Sequence, residues 1–528
     1  MRILVVEPLA AEGIDLLRGH HEVDEKLGLA RDEIIAILPD YDALVVRSQV
    51  KADAEMIAAG TRLVVIGRAG VGVDNVDLDA ATRAGITVVN APTGNTIAAA
   101  EHTLALMFGL ARHTADAHAS MKAGEWKRSK FTGRELRGKT LGIVGLGKIG
   151  QAIAVRARGM EMTVIGSDPF VTPEQAATFG VDLVTFDDIV ARADVVTVHV
   201  PKTKTTAGMI NREVMARMKP GVILLNVARG GIIDEQDLAD ALRDGVIAGA
   251  GIDVYTAEPP AADSPLLSAP NTLLTPHLGA STEEAQIAVA EEVAEQILEV
   301  LDGRSARYAV NAPLLTAETA QAIAPYLPLA ETLGRFAAQL SPVAPRTLTL
   351  EIAGEPAAHD ATSLVAAVLR GLLETTTEER VNLVNAGTLA KARGIEVVER
   401  KTPNAGAFSA LLTLTAKADG TTVTLAGTVA NGEPRLVRLQ EHAMDLAPSG
   451  VMLISHHRDR PGTVGRVGAL LGAADVNISS MTLARSAPRA DAYMVLALDD
   501  DIPQAVVDAL AADEGIIDTW VVRLGNER

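Results

Sequence analysis

Residues 141–150 read LGIVGLGKIG, a short apolar run that passes straight into Gly145, Gly147 and Gly150. A strand ending in G-x-G-x-x-G and feeding a helix lets bare backbone approach a pyrophosphate, while the helix N-terminus offers free N–H groups and the positive end of its dipole. The next run, MTVIGSD, ends at Asp168. That is about 20 residues further on, where such a turn is followed by the acid that binds a ribose 2′-hydroxyl and repels a 2′-phosphate. The stretch therefore predicts a doubly wound α/β nucleotide-binding unit that takes NAD rather than NADP.

Reading outward, the alternation of short apolar runs with helical stretches continues on both sides. From Thr140 the runs TLGIVG, TVIGSD, VVTVHV, VILLNVA, AGAGIDV and NTLLTP describe one parallel sheet, and ILVV, ALVV, LVVI and ITVV between Ile3 and Val89 describe another. A long helical segment from Asn95 joins the two, and Ser281 with Glu284 forms a capping-box signature for a helix to Leu301 that leads back to the first unit. Beyond Pro313 the texture changes to a helix over 316–340, strands such as TLTLEIAG, and hairpin signals at Asp419-Gly420 and Asn431-Gly432. LAPSG, ending at Gly450, reads as a linker, and the segment from Val451 onward has strand, helix, strand, strand, helix, strand texture.

The chain has 528 residues, more than one core normally organises, and 48% of them are apolar. A formal net charge of −19 disfavours nucleic acid and anionic membrane surfaces as partners. With no cysteine there is no disulfide framework, thiolate zinc site or cysteine nucleophile. The opening MRILVVEPLA is too short an apolar run for a signal peptide, and no stretch approaches about 18 uncharged apolar residues. These features predict a soluble cytoplasmic protein.

Ligands of open α/β sheets sit outside the carboxyl ends of the strands. In the second unit those ends carry Pro201, Arg229, Asp253 with Glu258 just beyond, and His277. Hydride transfer from a hydroxy acid needs a proton acceptor, a cation for the carboxylate and an anion that orients the acceptor. His277, Arg229 and Glu258 match those roles, because neutral imidazole takes a hydroxyl proton, a carboxylate stabilises the imidazolium, and guanidinium grips a carboxylate through its donor fork.

GLGKIG, NVARGGIIDE, AGAGIDVYTAEPP and TPHLGAST resemble the D-isomer-specific 2-hydroxyacid dehydrogenase family. The resemblance extends to a long form whose last segment, VMLISHHRDRPGTVGRVGALLGAADVNISS, is similar to an ACT domain. It implies a Rossmann-type nucleotide domain over 96–283 inserted in a flavodoxin-like substrate domain of 1–95 and 284–312. An α+β intervening regulatory domain over 313–448 and a ferredoxin-like ACT domain over 450–528 follow. The implied reaction is NAD-dependent oxidation of D-3-phosphoglycerate to 3-phosphohydroxypyruvate at the entry to serine biosynthesis. Cofactor contacts are implied at Lys148, Ile149, Asp168, Pro201, Ala228, Arg229, Asp253 and His277, Leu278, Gly279 and Ala280. Backbone N–H groups of Gly70 and Val71 suit the substrate carboxylate, and Arg47 and Ser48 the phosphate. Gln49 stands where relatives often carry a second base, so Lys51, or Arg128 and Lys130 of the same or another subunit, are expected to compensate. His457, Asp459 and Asn477 match ligand positions of ACT domains, with L-serine as effector and a homo-oligomer, taken as a homotetramer, as the assembly.

Two other readings stay open in the sequence. One is a dehydrogenase of glyoxylate, hydroxypyruvate or D-lactate, for which a basic VRS site and a regulatory tail have no evident use. The other is an NAD-sensing corepressor, for which the intact His, Glu and Arg set has none.

Overall fold

Among the described residues, four sheets follow one another along the chain. In the computed structural model, residues 1–312, 317–341, 343–377 and 379–525 are described. The expected boundary at 313 and the expected helix start at Thr316 lie outside them.

The first sheet is parallel, with strands Arg2–Val5, Glu22–Glu25, Ala43–Val46, Val65–Arg68 and Thr87–Asn90 in the flavodoxin-like order 2-1-3-4-5. Glu22–Glu25 was not expected, because EVDE has no apolar run; as an edge strand it needs none. The second sheet is parallel and seven-stranded. Its strands Thr140–Val144, Thr163–Ser167, Asp182–Leu183, Val195–Val198, Ile223–Asn226, Gly249–Ile252 and Thr272–Leu274 lie in the doubly wound order 3-2-1-4-5-6-7. Both sheets are covered on two faces, so their central strands Ala43–Val46, Val195–Val198, Ile223–Asn226 and Gly249–Ile252 are buried along their whole length.

Two segments cross between these units. The expected long helix is two helices, Thr96–Ala111 and Thr114–Lys122, broken where His113 takes a left-handed φ of 52°. The return helix Glu283–Leu301 is capped not by Ser281 but by Thr282, whose hydroxyl accepts from the Ala285 N–H at 3.2 Å. This helix packs Val293, Ala294 and Ile297 on the first sheet's core, and the chain beyond it runs along the sheet's edge, where Val310 N–H donates to the Val88 carbonyl at 2.7 Å.

The helix expected over 316–340 is interrupted. Helices Ala317–Ile323 and Leu327–Leu340 flank a tight turn at Ala324–Tyr326, as Pro325 and Pro328 dictate by removing backbone donors. A six-stranded sheet follows, in the order 2-1-3-4-5-6 over strands Thr347–Gly354, Glu396–Thr402, Ala410–Ala418, Thr421–Ala430, Glu433–Leu439 and His442–Leu446. The Asn431-Gly432 turn has φ of 55° and 82°, the two positive values a tight hairpin requires. The last sheet holds Val451–Arg458, Ile478–Arg485, Asp491–Leu498 and Ile516–Arg523 in the order 2-3-1-4, with helices Thr463–Ala473 and Gln504–Ala511 on one face.

LAPSG does link the two units, strand His442–Leu446 to strand Val451–Arg458, but the other face of the last sheet packs on the preceding unit. Met452, Ile454, Tyr493, Val495 and Val522 of the last sheet belong to the same buried cluster as Phe336, Leu350 and Leu414 of the preceding unit. Arg335 adds a bond to the Leu524 carbonyl at 2.8 Å, and Gln339 accepts from the Arg523 N–H at 2.8 Å. One apolar core serves both sheets.

Candidate active site

Strand order reverses once in each parallel sheet, and the crevice at such a switch point is where ligands bind. In the second sheet the switch lies between Thr140–Val144 and Val195–Val198, and Gly145 and His199 follow those strands. Gly145 has φ of 97°, and a Cβ there would stand 2.5 Å from the His199 carbonyl oxygen. At Gly150 a Cβ would stand 2.2 Å from the Gly145 carbonyl oxygen, whereas nothing lies within 4 Å of a Cβ at Gly147. Two glycines thus allow strand and helix to close together, and the third faces open space at the N-terminus of helix Lys148–Gly159. These residues fit a dinucleotide pyrophosphate.

Asp168 stands against this loop. Its Oδ2 accepts from the Leu146 N–H and its Oδ1 from the Phe170 N–H, both at 2.8 Å. Each oxygen keeps a lone pair for a ribose hydroxyl. Lys148, at the helix start, holds its ammonium 5.2 Å from the Tyr308 ring centroid, touching the returning segment of the first unit. Ile149 packs into the nucleotide unit's core, and Pro201 is exposed at the end of the 195–198 strand.

Sequence reasoning missed His199. Burial pushes its imidazole down to about 3. Its Nε2 meets the Thr197 hydroxyl at 2.8 Å, and its Nδ1 is shielded from solvent without a partner. The ring is neutral and sits directly behind the glycine turn.

His277 Nδ1 lies 2.6 Å from Glu258 Oε2, and Glu258 Oε1 accepts from the Tyr255 N–H at 3.1 Å. Burial works against ionisation of Glu258, but the bonds from His277 and Tyr255 outweigh it and hold the carboxyl below its usual range. His277 itself has φ of 56°, a left-handed conformation. Asp253 holds the loop in that shape. Fully buried, it accepts from the Leu278 N–H at 2.7 Å, the Gly279 N–H at 2.8 Å and the Thr275 hydroxyl at 2.6 Å, and its carbonyl accepts from the His277 N–H at 2.8 Å. The Asp253 carboxylate, expected to touch the cofactor, is therefore committed first to positioning the 275–279 loop.

A cavity of about 820 Å³ opens between the two parallel sheets. The structure brings Arg47, Ser48, Gly70, Val71, Arg229, Glu258, His277 and Ala280 to its wall. The glycine loop, Asp168 and Asp253 lie outside this cavity. Arg229 reaches across it, donating from Nε to Asp74 Oδ2 at 3.0 Å and from Nη1 to the Ala228 carbonyl at 2.7 Å.

Arg68, also missed, stands in the same wall at the carboxyl end of strand Val65–Arg68. Burial depresses its guanidinium to about 10, with Arg229 adding to the effect and Asp74 and Glu7 opposing it. The rule applied to the second sheet's strand ends would have found it in GRAGVGVDN, a stretch read only for its backbone. Lys51 lines the cavity beside Arg47 and Gln49. Arg128 and Lys130 lie on an exposed turn over 128–131 of the nucleotide unit and are not in the cavity wall.

The three expected effector residues part company. Asp459 accepts from Arg485 at 2.7 Å and from the Arg489 N–H at 2.9 Å, and Asn477 donates to Asp499 at 2.5 Å, all near the surface. His457 instead is 1% exposed, and burial lowers the pKa of its imidazole. The period-two alternation of its strand turns it inward with Leu453 and Ser455, so within one chain its side chain is closed to a ligand from solvent.

Residues 104–279 match the family model described as D-isomer specific 2-hydroxyacid dehydrogenase, NAD binding domain. Residues 322–440 match the D-3-phosphoglycerate dehydrogenase intervening domain, and 451–515 the ACT domain. A D-3-phosphoglycerate dehydrogenase of Synechocystis is 46% identical over 99% of this chain and 95% of its own length. One of Archaeoglobus fulgidus is 43% identical over 99% of this chain and 100% of its own. Among solved structures, a glyoxylate reductase from Paecilomyes thermophila is 31% identical, with a TM-score of 0.54 over 59% of this chain and 98% of its own. A formate dehydrogenase from Staphylococcus aureus in complex with NAD is 30% identical, with a TM-score of 0.52 over 57% of this chain and 96% of its own.

Proposed function

The chain belongs to the D-isomer specific 2-hydroxyacid dehydrogenases, NAD-binding oxidoreductases, and from that membership we propose that it oxidises D-3-phosphoglycerate to 3-phosphohydroxypyruvate, the first step of L-serine biosynthesis. The observation that carries the substrate is the set of side chains lining one cavity, the His277 and Glu258 pair together with the cations Arg47, Lys51, Arg68 and Arg229.

With NAD bound, its nicotinamide ring is the hydride acceptor. Nε2 of His277 takes the hydroxyl proton as the C–H pair leaves, and Glu258 across Nδ1 stabilises the imidazolium and fixes the ring. Arg229 and the N–H groups of Gly70 and Val71 hold the carboxylate, and Arg47, Ser48 and Lys51 the phosphate. Bringing the two units together around the substrate excludes water.

The reading further takes the enzyme as a cytoplasmic homotetramer inhibited by L-serine, bound between ACT domains at Asp459 and Asn477. An ACT match and the small polar chemistry of those side chains support it, and among the described residues no helix is long and apolar enough to cross a membrane. NADH formation from D-3-phosphoglycerate against D-glycerate and D-lactate tests the substrate. A kcat/KM for either unphosphorylated acid equal to that for D-3-phosphoglycerate refutes it.

A further inference from the structure

Among the described residues, four carboxylate or imidazole side chains are almost fully buried: Glu7, Asp42, Asp253 and His457. Asp42 pairs with Arg62, and Asp253 and His457 have been placed above. Glu7 is different, because among the described residues its carboxylate meets backbone N–H groups and no side-chain cation at hydrogen-bond distance. It follows strand Arg2–Val5 at the switch point of the first sheet, opposite the loop that follows Ala43–Val46.

All its bonds go to that loop. Oε2 accepts from the Arg47 N–H at 2.6 Å and the Val50 N–H at 3.1 Å, and Oε1 accepts from the Gln49 N–H at 2.9 Å. Asn75 takes the complementary groups, donating from Nδ2 to the Arg47 carbonyl at 2.9 Å and the Val50 carbonyl at 2.6 Å. Arg47 Nη1 donates to the Pro8 carbonyl at 3.1 Å, beside Glu7 in sequence. With five backbone groups of 47–50 tied down from behind, the loop is left to present its side chains to the cavity.

We infer that Glu7 is the positioning residue of the phosphate-binding loop, a buried carboxylate that fixes the backbone of 47–50 so that Arg47, Ser48 and Lys51 meet the substrate phosphate in a preformed arrangement. The inference rests on the assignment of Arg47 to the phosphate. Two effects of Glu7 oppose each other. Its charge repels a phosphate, which argues that removing it tightens binding. Its geometry organises the site, which argues the reverse. Geometry dominates, because an amide at this position offers one acceptor oxygen to three N–H groups and turns its own NH2 toward donors. Preorganisation lost in the free enzyme then appears as weaker binding.

The test is steady-state kinetics of Glu7→Gln, Asn75→Ala and Arg47→Ala on D-3-phosphoglycerate and on D-glycerate. Glu7→Gln is expected to raise KM for the phosphorylated substrate about tenfold with kcat within about twofold, and to leave KM for D-glycerate nearly unchanged. Asn75→Ala, which frees the same loop from its other side, shows the same selectivity and serves if Glu7→Gln does not fold. A fall in KM, no change, or equal rises for both substrates overturns the positioning role. If Arg47→Ala itself fails to discriminate between the two substrates, the phosphate assignment is what has failed; if it discriminates and Glu7→Gln and Asn75→Ala do not, the assignment stands and this inference falls.

Discussion

His277 and Glu258 meet at 2.6 Å through Nδ1 and Oε2, which leaves Nε2 of the imidazole available for the proton transfer proposed for it. Removing the ring with His277→Ala is expected to lower kcat by about three orders of magnitude or more with little change in NAD affinity, since a positioned base contributes on that scale. Turnover near that of the parent enzyme contradicts the assignment. Glu258→Gln keeps the shape but removes the charge opposite the imidazolium. The acid limb of the pH profile of kcat/KM should move to lower pH and kcat should fall; an unmoved limb counts against the pair.

Asp168, proposed to set cofactor selectivity, also holds the shape of the glycine turn through its bonds to the Leu146 and Phe170 N–H groups. Asp168→Ala should therefore weaken NAD as well as admit NADP. We expect the ratio of kcat/KM for NAD over NADP to drop by about tenfold or more, a difference of about 1.4 kcal/mol. An unchanged ratio removes Asp168 from cofactor choice.

The neutral His199 makes the fold acid-sensitive. Its imidazole, at 6.5 when free and about 3 when folded, is protonated in the unfolded chain at pH values where the folded chain refuses the proton. The stability it contributes is complete above the free value and is lost as pH falls below it, at up to ~1.4 kcal/mol per pH unit. Urea unfolding should show a midpoint falling from about pH 7 to about pH 5, with a shallower fall in His199→Gln. Equal slopes in the two proteins rule out this group as the cause.

Phe336 is fully buried in the core shared by the third and fourth sheets. Phe336→Ala should cost about 3–5 kcal/mol and unfold both sheets in one transition. Two transitions, with only one displaced, mean that the sheets are stable independently. The same core makes removal of 450–528 a poor test of regulation, because it opens the cluster that holds Leu350 and Leu414 as well as deleting the proposed effector site.

Single substitutions avoid that difficulty. Asn477→Ala should raise the L-serine concentration for half inhibition by about tenfold while KM and kcat stay unchanged, because an effector acts only through its differential affinity for two states. Inhibition unaltered in Asn477→Ala and in Asp459→Ala places the effector elsewhere.

The candidate site was legible where chemistry follows locally from chain direction. Arg229, Glu258 and His277 come after apolar runs, and a parallel strand delivers whatever follows it to one edge of its sheet. Arg68 obeys the same rule. Glu7 and Asp74 gave no such signal, since a carboxylate after a strand reads as a solvated turn until its partners, about 40 and 155 residues away, are known to face it. The inward turn of His457 likewise depends on which face of its strand is covered, and both faces are.

The sequence by itself determined the apolar strands of the two parallel sheets, the glycine turn, the reversal signal at Asn431-Gly432 and the succession of units along the chain, because propensity, period and φ are set within a few residues. Only the tertiary structure decided that strand ends of two separate sheets open on one cavity, that a buried Glu7 stands behind the 47–50 loop, and that the last two sheets share a core. Those relations are made by contacts between segments tens to hundreds of residues apart. They are selected by burial and hydrogen bonding summed over whole units, and no local window of sequence contains that sum.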